Sequence, residues 1–160
     1  MMKIDNNSLL DRIDHKILKL LEIDGRMPVT ELAAQVGLSK SPCQVRLKRL
    51  QKDGYILGFR AVLDDSKLER EHVAFTEVKL QNTTEKALAA FNAAVTKIPE
   101  IEQCHMIAGS FDYLLKVRSK DITAYRLVLG EKVSNLPHVA HTSSFVSMQA
   151  VKEVGQQATD

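Results

Sequence analysis

Basic side chains are concentrated in one short stretch of this chain, between Ser39 and Lys52. The stretch contains five Lys or Arg residues and no acidic residue. If it is helical, Cys43, Leu47 and Leu50 share one apolar stripe, and the polar side chains lie largely on the opposite side. A helix with these two faces can pack inward on one side and enter a DNA groove between phosphates on the other. A solvated basic face without a DNA partner is the alternative.

The angular positions on this helix divide the expected DNA contacts into two groups. The side chains expected to face the bases of the major groove are Ser41, Gln44, Val45, Lys48 and Arg49. Those expected to contact phosphates are Lys40, Arg46 and Lys52. Ser39 joins the set at the start of the helix, which could begin there, or at Ser41 with Pro42 in the first turn and Gln44 in a capping box. Double-stranded DNA is therefore the first expected partner.

A second helix is predicted directly before the basic one. Leu32, Ala33 and Val36 recur at helical spacing, and Thr30 stands where its side-chain oxygen could cap the first free N–H groups. Gly37 then ends this helix, since glycine adopts turn conformations that other residues disfavour. Two short helices joined by a tight turn, the second of them basic, predict a helix-turn-helix motif.

Flanking elements complete the N-terminal domain. A further helix is predicted before the motif from apolar residues at helical spacing, namely Leu10, Ile13, Ile17, Leu20 and Leu21. Asp11 is its expected cap and Gly25 its expected end. After the motif, residues 55–63 are rich in strand formers and predict a strand or ribbon with a bend at Gly58. These elements together predict a winged helix-turn-helix unit.

Strand and helix patterns alternate in the second half of the chain. Strands are predicted over residues 73–80, 101–108, 113–118 and 139–151, and helices over residues 86–97 and 121–135. The order βαββαβ is that of the ferredoxin-like fold, a four-stranded antiparallel sheet with both helices on one face. The other face would expose Val, Phe, Met and Leu side chains, and a large exposed apolar surface favours self-association.

The predicted fold class is therefore α+β, with two domains of different charge. The predicted boundaries are 1–63 for the helix-turn-helix domain, 64–71 for a polar linker, 72–154 for the ferredoxin-like domain and 155–160 for a tail. Residues 1–60 contain 11 Lys and Arg against 7 Asp and Glu, whereas residues 61–160 contain 11 against 13. The net charges are thus +4 and −2. This asymmetry fits a DNA-binding domain joined to a domain with another task.

Other sequence features narrow the class of protein. No apolar run reaches the length of a membrane span, and the N-terminus lacks the apolar core of a signal peptide, so we expect a cytoplasmic, nucleoid-associated protein without membrane contact. Cys43 and Cys104 fall at apolar positions and are expected to be buried thiols rather than a disulfide. His105, His138 and His141 lack the spacing of metal ligands. We therefore expect no metal, no cofactor and no catalytic residues.

Four segments carry a resemblance that covers nearly the whole chain: LDRIDHKIL, GLSKSPCQVRLKRLQKDGYI, EQCHMIAGSFDYLLKV and DITAYRLVLGEKVSNLPHV. In these segments the chain resembles the Lrp/AsnC family of transcriptional regulators. The resemblance implies a DNA-binding domain joined to a domain that regulates amino-acid metabolism. It also implies dimers that assemble into rings, with a free amino acid, leucine or another, bound between subunits.

The resemblance further implies where the amino-acid effector binds. The implied site consists of Met106, Ala108, Gly109, Ser110, Phe111, Asp112, Tyr113, Ile122, Thr142, Ser144, Phe145 and Val146. A free amino acid needs N–H donors for its carboxylate, an acceptor for its ammonium group and an apolar pocket for its side chain. The glycine turn offers donors, Asp112 an acceptor, and Met106, Phe111 and Ile122 an apolar surface. An ordinary hairpin turn in which Asp112 bonds the backbone is the alternative.

Three functions remain in view. We expect a sequence-specific transcriptional regulator that responds to an amino acid. The first rival is a nucleoid-type DNA organiser that ignores small molecules. The second is an enzyme, since ferredoxin-like domains also form small oxygenase barrels, but the chain has no catalytic constellation and carries an attached basic motif.

Overall fold

The computed structural model describes residues 10–153. The chain divides into two compact units, with the division between Ala61 and Val62. The predicted tail 155–160 and the first nine residues of the predicted N-terminal domain lie outside the described residues. Within residues 10–153, no helix is both long enough and apolar enough to cross a membrane.

The first unit consists of three helices, α1 Arg12–Ile23, α2 Val29–Val36 and α3 Lys40–Lys52. Their apolar stripes meet in one small core, in which Ile17, Leu32, Cys43 and Leu50 are completely shielded from solvent. Gly37 ends α2 with the left-handed angles φ 75° and ψ 33°. A residue with a Cβ would adopt this conformation only at a cost, so glycine is suited to the tight turn before α3. The predicted helix-turn-helix is confirmed.

The helix caps agree with the sequence in two of three places. Asp11 caps α1 as predicted, because its Oδ1 accepts from the Asp14 N–H at 2.8 Å while Asp14 Oδ2 accepts from the Asp11 N–H at 3.2 Å. The predicted cap at Thr30 is wrong: α2 already begins before it, directly after Pro28, whose φ of −59° suits helix entry. Ser39 holds the cap position of α3 without a side-chain bond, so the earlier of the two predicted starts is correct.

The segment after α3 is not the strand or ribbon that the sequence predicts. Residues 55–63 form no strand, because no described segment of the first unit pairs with them. Leu57 is 96% exposed in this irregular segment. Phe59 turns back onto Gly25, where a Cβ would lie 2.9 Å from the ring. Gly25 therefore permits this close approach rather than ending α1, which stops two residues earlier.

The second unit has the predicted ferredoxin-like α+β fold. Its elements in chain order are β1 His72–Leu80, α4 Glu85–Val95, β2 Ile101–Met106, β3 Tyr113–Ser119, α5 Ile122–Leu127 and β4 Val139–Val146. The antiparallel sheet has the strand order β2-β3-β1-β4. Both helices pack on one face over a shared core that includes Phe91, Leu115 and Tyr125. Thr84 and Asp121 cap α4 and α5 with their side-chain oxygens.

Two strands end earlier than predicted because their partners end. β2 stops at Met106, which pairs with the first residue of β3, Tyr113. Residues 107 and 108 therefore belong to the hairpin loop. β4 stops at Val146, opposite Ala74, instead of residue 151, and β1 begins only two residues before Ala74, so it has no residue opposite positions 149–151. A strand cannot extend beyond the neighbour that satisfies its N–H and C=O groups.

The helix predicted over residues 121–135 changes its winding partway. After α5 the chain continues as a π-helix over Val128–Val133. The Ser134 N–H donates to the Leu129 carbonyl, five residues back, at 2.8 Å. The sequence pattern of ordinary helical spacing could not reveal this wider turn. Ile122 lies in the first turn of α5 and is 56% exposed.

The sheet face opposite the helices is mixed rather than apolar. Strand alternation and register assign to it Val73, Phe75, Glu77, Lys79, Gln103, His105, Leu114, Lys116, Arg118, His141, Ser143 and Phe145. The prediction of an apolar face is therefore wrong, because most apolar strand residues point toward the helices and charged residues alternate with them. Phe75 and Phe145 are a cross-strand pair and expose 37% and 55% of their surfaces on this open face.

An ion cluster occupies one end of this open face. Arg118 is its centre and is almost completely buried. Its Nε donates to Glu102, and its terminal nitrogens lie 3.1 Å from Asp65 and 3.1 Å from Glu153. Lys116 joins the cluster through Glu102 and Glu153. Since Asp65 belongs to the predicted linker and Glu153 follows the last strand, the cluster fastens both segments to the sheet.

A buried carboxylate joins α1 to α3 in the first unit. The Asp14 side chain is 1% exposed. Its Oδ1 accepts from Arg46 Nη1 at 2.9 Å and its Oδ2 from Arg49 Nη2 at 2.5 Å, while Asp11 Oδ2 lies 2.6 Å from Arg46 Nη1. Burial alone would raise the pKa of Asp14, but the hydrogen bonds from the two arginines outweigh it and hold that pKa at about 2.

We predict that Asp14→Asn lowers the free energy of unfolding by about 2 kcal/mol at pH 7. Folding lowers the pKa of Asp14 from 3.8 to about 2. The ionised carboxylate therefore stabilises the fold at pH values above its unfolded pKa, and this contribution is lost as the pH falls through the folded pKa. Urea unfolding followed by circular dichroism should give a difference between the two proteins that shrinks below about pH 4. A difference that stays constant down to about pH 2 would contradict the assignment.

Candidate DNA interface and effector site

The exposed side of α3 carries seven of the nine side chains that the sequence assigns to DNA binding. The seven exposed residues are Ser39, Lys40, Ser41, Gln44, Val45, Lys48 and Lys52. The inward side is formed by Cys43 and Leu50, with Leu47 half-buried beside them. Burial raises the pKa of the Cys43 thiol, which is a neutral core residue. The helix thus separates a packing face from a polar face, as its sequence predicts.

Arg46 and Arg49 differ from the other seven, because both turn toward α1. Their side chains are 28% and 36% exposed. The hydrogen bonds that Arg46 donates to Asp11 and Asp14 raise the pKa of Arg46, and the bond that Arg49 donates to Asp14 raises the pKa of Arg49. Two carboxylates thus balance two of the five cationic charges of α3.

The remaining charge of α3 comes from lysines. Lys40, Lys48 and Lys52 form no ion pair with any residue between positions 10 and 153. All three side chains are exposed. An unpaired lysine can release a counterion when it meets a phosphate, whereas a paired arginine must share its charge. Among the basic residues of α3, these three lysines are therefore the ones whose charge is free to meet an anion.

An open groove lies between α3 and the start of α1. Asp11, Pro42, Val45, Arg46 and Arg49 line it. One side is apolar and the other presents the two guanidinium groups. Sequence reasoning missed the pairing of Asp11 and Asp14 with these arginines, because the partners lie more than thirty residues apart. The signal available in the sequence was the acidic pair of α1, Asp11 at the cap and Asp14 at the third position. Carboxylates in a capping box keep lone pairs that can accept further hydrogen bonds.

The hairpin between β2 and β3 is fastened to the end of β1. The Asp112 N–H donates to the Val78 carbonyl at 2.9 Å. Asp112 Oδ2 accepts from the Leu80 N–H at 2.7 Å, and Oδ1 accepts from Lys79 Nζ at 3.1 Å. The bond from Leu80, helped by Lys79, lowers the pKa of Asp112. The carboxylate expected to accept an ammonium group is therefore already held by β1, although its oxygens retain further lone pairs.

The other residues of the implied effector site occupy different parts of the second unit. Ala108, Gly109 and Ser110 are exposed at the hairpin, Phe111 is half-buried and Tyr113 is buried. Val78 of β1 pairs with Tyr113 on one side and with Thr142 on the other, so the three lie in one row across the sheet. Met106 pairs with Tyr113 at the end of this row and is 56% exposed.

The last implied residues lie further along the sheet. Val146 pairs with Ala74, four residues from Val78 along β1, a distance of about 13 Å. Ser144 lies between the two ends, and Phe145 points to the opposite, open face. Ile122 follows β3 at the far end, where Ser119 pairs with His72. One chain therefore does not bring the implied residues together in a single pocket.

A groove on α5 was missed by sequence reasoning. It is lined by Ile122, Thr123, Tyr125, Arg126 and Leu129. Of these five residues, the implied effector site contains only Ile122. The Tyr125 hydroxyl is also hydrogen-bonded to Thr76 at 2.8 Å and donates to Ser144. These bonds fix the floor of the groove to β1 and β4. The signal available in the sequence was Tyr125, the aromatic residue at the fourth position of α5, which also belongs to the core.

Metal binding has no support in the part of the chain that the structure describes. In residues 10–153, no three His, Cys, Asp or Glu side chains are grouped so that they could hold an ion. Cys43 and Cys104 are free thiols.

Comparison with known proteins identifies both units. Residues 10–51 match the AsnC-type helix-turn-helix domain, and residues 73–157 match the Lrp/AsnC ligand binding domain. The chain is 65% identical to a proline dehydrogenase transcriptional activator of Rhizobium radiobacter, over 91% of this chain and 94% of the relative. It is 44% identical to the leucine-responsive regulatory protein of Salmonella typhimurium, over 90% of this chain and 88% of the relative.

Solved structures agree with these relatives. An AsnC family transcriptional regulator from Agrobacterium tumefaciens has a TM-score of 0.85 at 30% identity, and covers 92% of this chain and 96% of its own. A transcriptional regulator from Neisseria meningitidis in complex with L-Met has a TM-score of 0.85 at 31% identity, and covers 92% and 95%. These relatives are regulators rather than enzymes. Because both family models and these relatives match, the chain belongs to the Lrp/AsnC family of transcriptional regulators, with a helix-turn-helix for DNA and a separate ligand-binding domain.

Proposed function

We propose that this chain activates transcription of a proline dehydrogenase gene and that free proline is its effector. The observation that carries the proposal is the 65% identity to a proline dehydrogenase transcriptional activator across both units. A gene for breaking down an amino acid is usefully controlled by that amino acid. A ligand-binding domain in the same chain supplies the means.

Insertion of α3 into the major groove is supported by its two faces. The inward face is packed in the three-helix core, so the outward face is held in one orientation. Gln44 and Val45 are exposed in the middle of that face and can meet base edges, while Lys40 and Lys52 flank it and can meet phosphates.

A shared effector site between two subunits is supported by the separation of the implied residues. The hairpin turn offers exposed backbone near Gly109 at one end of the sheet. The α5 groove offers Ile122 and Leu129 as apolar surface near the other end. Proline has a carboxylate that needs N–H donors and a ring that needs an apolar surface. The hairpin of one subunit placed against the α5 groove of another would supply both.

Assembly of the chain into dimers, or rings of dimers, is supported by two exposed apolar surfaces. One is the cross-strand pair Phe75 and Phe145 on the open face of the sheet. The other is the irregular segment after α3, in which Leu57, Val62 and Leu63 are each more than half exposed. Such side chains are the ones that a second copy would bury. A dimer would also present two α3 helices to DNA about one or more turns apart.

The direct test measures DNA binding with and without amino acids. Fluorescence anisotropy would follow the full chain on labelled DNA from upstream of the proline dehydrogenase gene, against an excess of random DNA. Proline should change affinity for this DNA, whereas leucine and methionine at equal concentration should not. If only leucine or methionine changes the affinity for this DNA, that amino acid, and not proline, is the effector. Specific binding with no response to any amino acid would favour the effector-independent organiser.

We predict that Lys52→Ala weakens binding to every DNA sequence alike. A lost phosphate contact should reduce the slope of log affinity against log salt by about 0.9. The matched control is Lys97→Ala, which removes an exposed lysine from the second unit and should leave that slope unchanged. Loss of affinity on the specific site alone would instead assign Lys52 to base recognition.

We predict that Gly109→Ala impairs the response to proline while the fold is retained. An added Cβ would lie 3.5 Å from Ile107, an ordinary contact, so the turn tolerates it. The methyl group would nevertheless obstruct the backbone N–H groups and should raise the proline midpoint about fivefold or more. Gly130→Ala is the control, since a Cβ there meets nothing within 4 Å. Equal midpoints in both variants would exclude the hairpin from the site.

We predict that Phe145→Asp weakens self-association. A carboxylate beside Phe75 would lose its water if the open face were covered, so the dissociation constant should rise at least about tenfold. Sedimentation velocity over a range of concentrations would measure it. Ile23→Asp is the control, because it replaces an exposed apolar residue of the first unit. An unchanged distribution of species in the Phe145 variant would place the subunit interface elsewhere.

A further inference from the structure

We infer that Asp14 of α1 determines DNA sequence specificity by positioning the two arginines of α3. Its buried carboxylate fixes the directions in which Arg46 and Arg49 present their other N–H groups. The inference rests on the proposed insertion of α3 into the major groove. Asp14 itself touches no base, because its side chain is 1% exposed.

The geometry gives each arginine its own oxygen of the same carboxylate. Arg46 Nη1 lies 2.9 Å from Oδ1, and Arg49 Nη2 lies 2.5 Å from Oδ2. Both oxygens belong to one planar group, so the two guanidinium groups are held in a fixed relation to each other. A guanidinium has five N–H donors in a rigid fork, and Asp14 engages one terminal nitrogen of each arginine. The other donors of the fork are not used by this carboxylate.

The position of the carboxylate is itself fixed. The Asp14 N–H donates to Asp11 Oδ1 at 2.8 Å, so the residue is locked into the first turn of α1. Asp11 Oδ2 adds a second contact to Arg46 at 2.6 Å. The arginines also border the open groove beside the exposed Val45. Both side chains are held at one end by carboxylates and remain partly exposed, at 28% for Arg46 and 36% for Arg49.

Anchoring should improve discrimination more than affinity. A free arginine has several rotamers and can reach more than one base or phosphate, whereas an anchored one meets a single position without losing that freedom on binding. Asp14 also cancels positive charge next to the phosphates. Its removal should therefore lower affinity for the correct site and leave or raise affinity for other DNA. A purely structural role would lower both affinities together.

The test compares the full-length protein with Asp14→Asn and with a control, Glu22→Gln. Asparagine keeps an oxygen for the capping box, and Glu22 is an exposed residue of the same helix whose replacement changes the net charge equally. Selection from a random duplex library would define the preferred site of each protein. Dissociation constants for that site and a scrambled duplex would then be measured at several salt concentrations.

The expected result is a loss of discrimination of about tenfold or more for Asp14→Asn, with binding to scrambled DNA retained. Glu22→Gln should retain its discrimination. An unchanged ratio of the two dissociation constants in Asp14→Asn would overturn the inference. If the unmodified protein selects no sequence at all, the proposed groove contact fails first, and the inference is overturned with it.

A second variant applies if circular dichroism reveals that Asp14→Asn is unfolded. Arg49→Lys keeps the positive charge and a partner for Asp14. A lysine ammonium group that is bound to the carboxylate has no planar set of further N–H donors with which to contact a base. Discrimination should fall by a similar factor, while affinity for scrambled DNA should stay the same. Full discrimination in this folded variant would overturn the inference independently.

Discussion

A carboxylate removed from water must be paired, and in the first unit this requirement determines how α3 is held against α1. Asp14 is buried at the start of α1 and is satisfied by Arg46 and Arg49 of α3. The core that holds the three helices together has seven buried apolar residues, with partly buried ones packed against them. The ion pairs therefore add directional contacts between α1 and α3 that an apolar core of this size does not supply.

The second unit depends on β1, the strand between β3 and β4. Its inward residues contribute to the core under α4 and α5, while its end holds the hairpin through Asp112. β3 runs from that hairpin, beginning at Tyr113, to Arg118, which holds the segment containing Asp65. β3 thus connects the hairpin, which is proposed to sense an amino acid, with the segment that contains Asp65.

Local patterns were sufficient for most elements, whereas features that depend on distant partners were not. The capping box at Asp11, the turn at Gly37 and the βαββαβ order follow from periodicity and residue type within short windows. The segment over residues 55–63 has strand composition but no partner in the described chain, so composition misled. The ion pairs of Arg46 and Arg49 span more than thirty residues, and no local rule could have assigned them. The effector residues came from the family resemblance, and the separation between the hairpin and Ile122 could be recognised only from the sheet register.

We propose that an amino acid bound to the second unit changes how the first unit engages DNA. Hydroxyl-radical footprinting of the full chain on DNA upstream of the proline dehydrogenase gene tests it most directly. The account predicts protected segments that repeat at about one helical turn, roughly 34 Å, and whose number or spacing changes when proline is added. An identical protection pattern with and without proline, at saturating protein and amino acid, would contradict it.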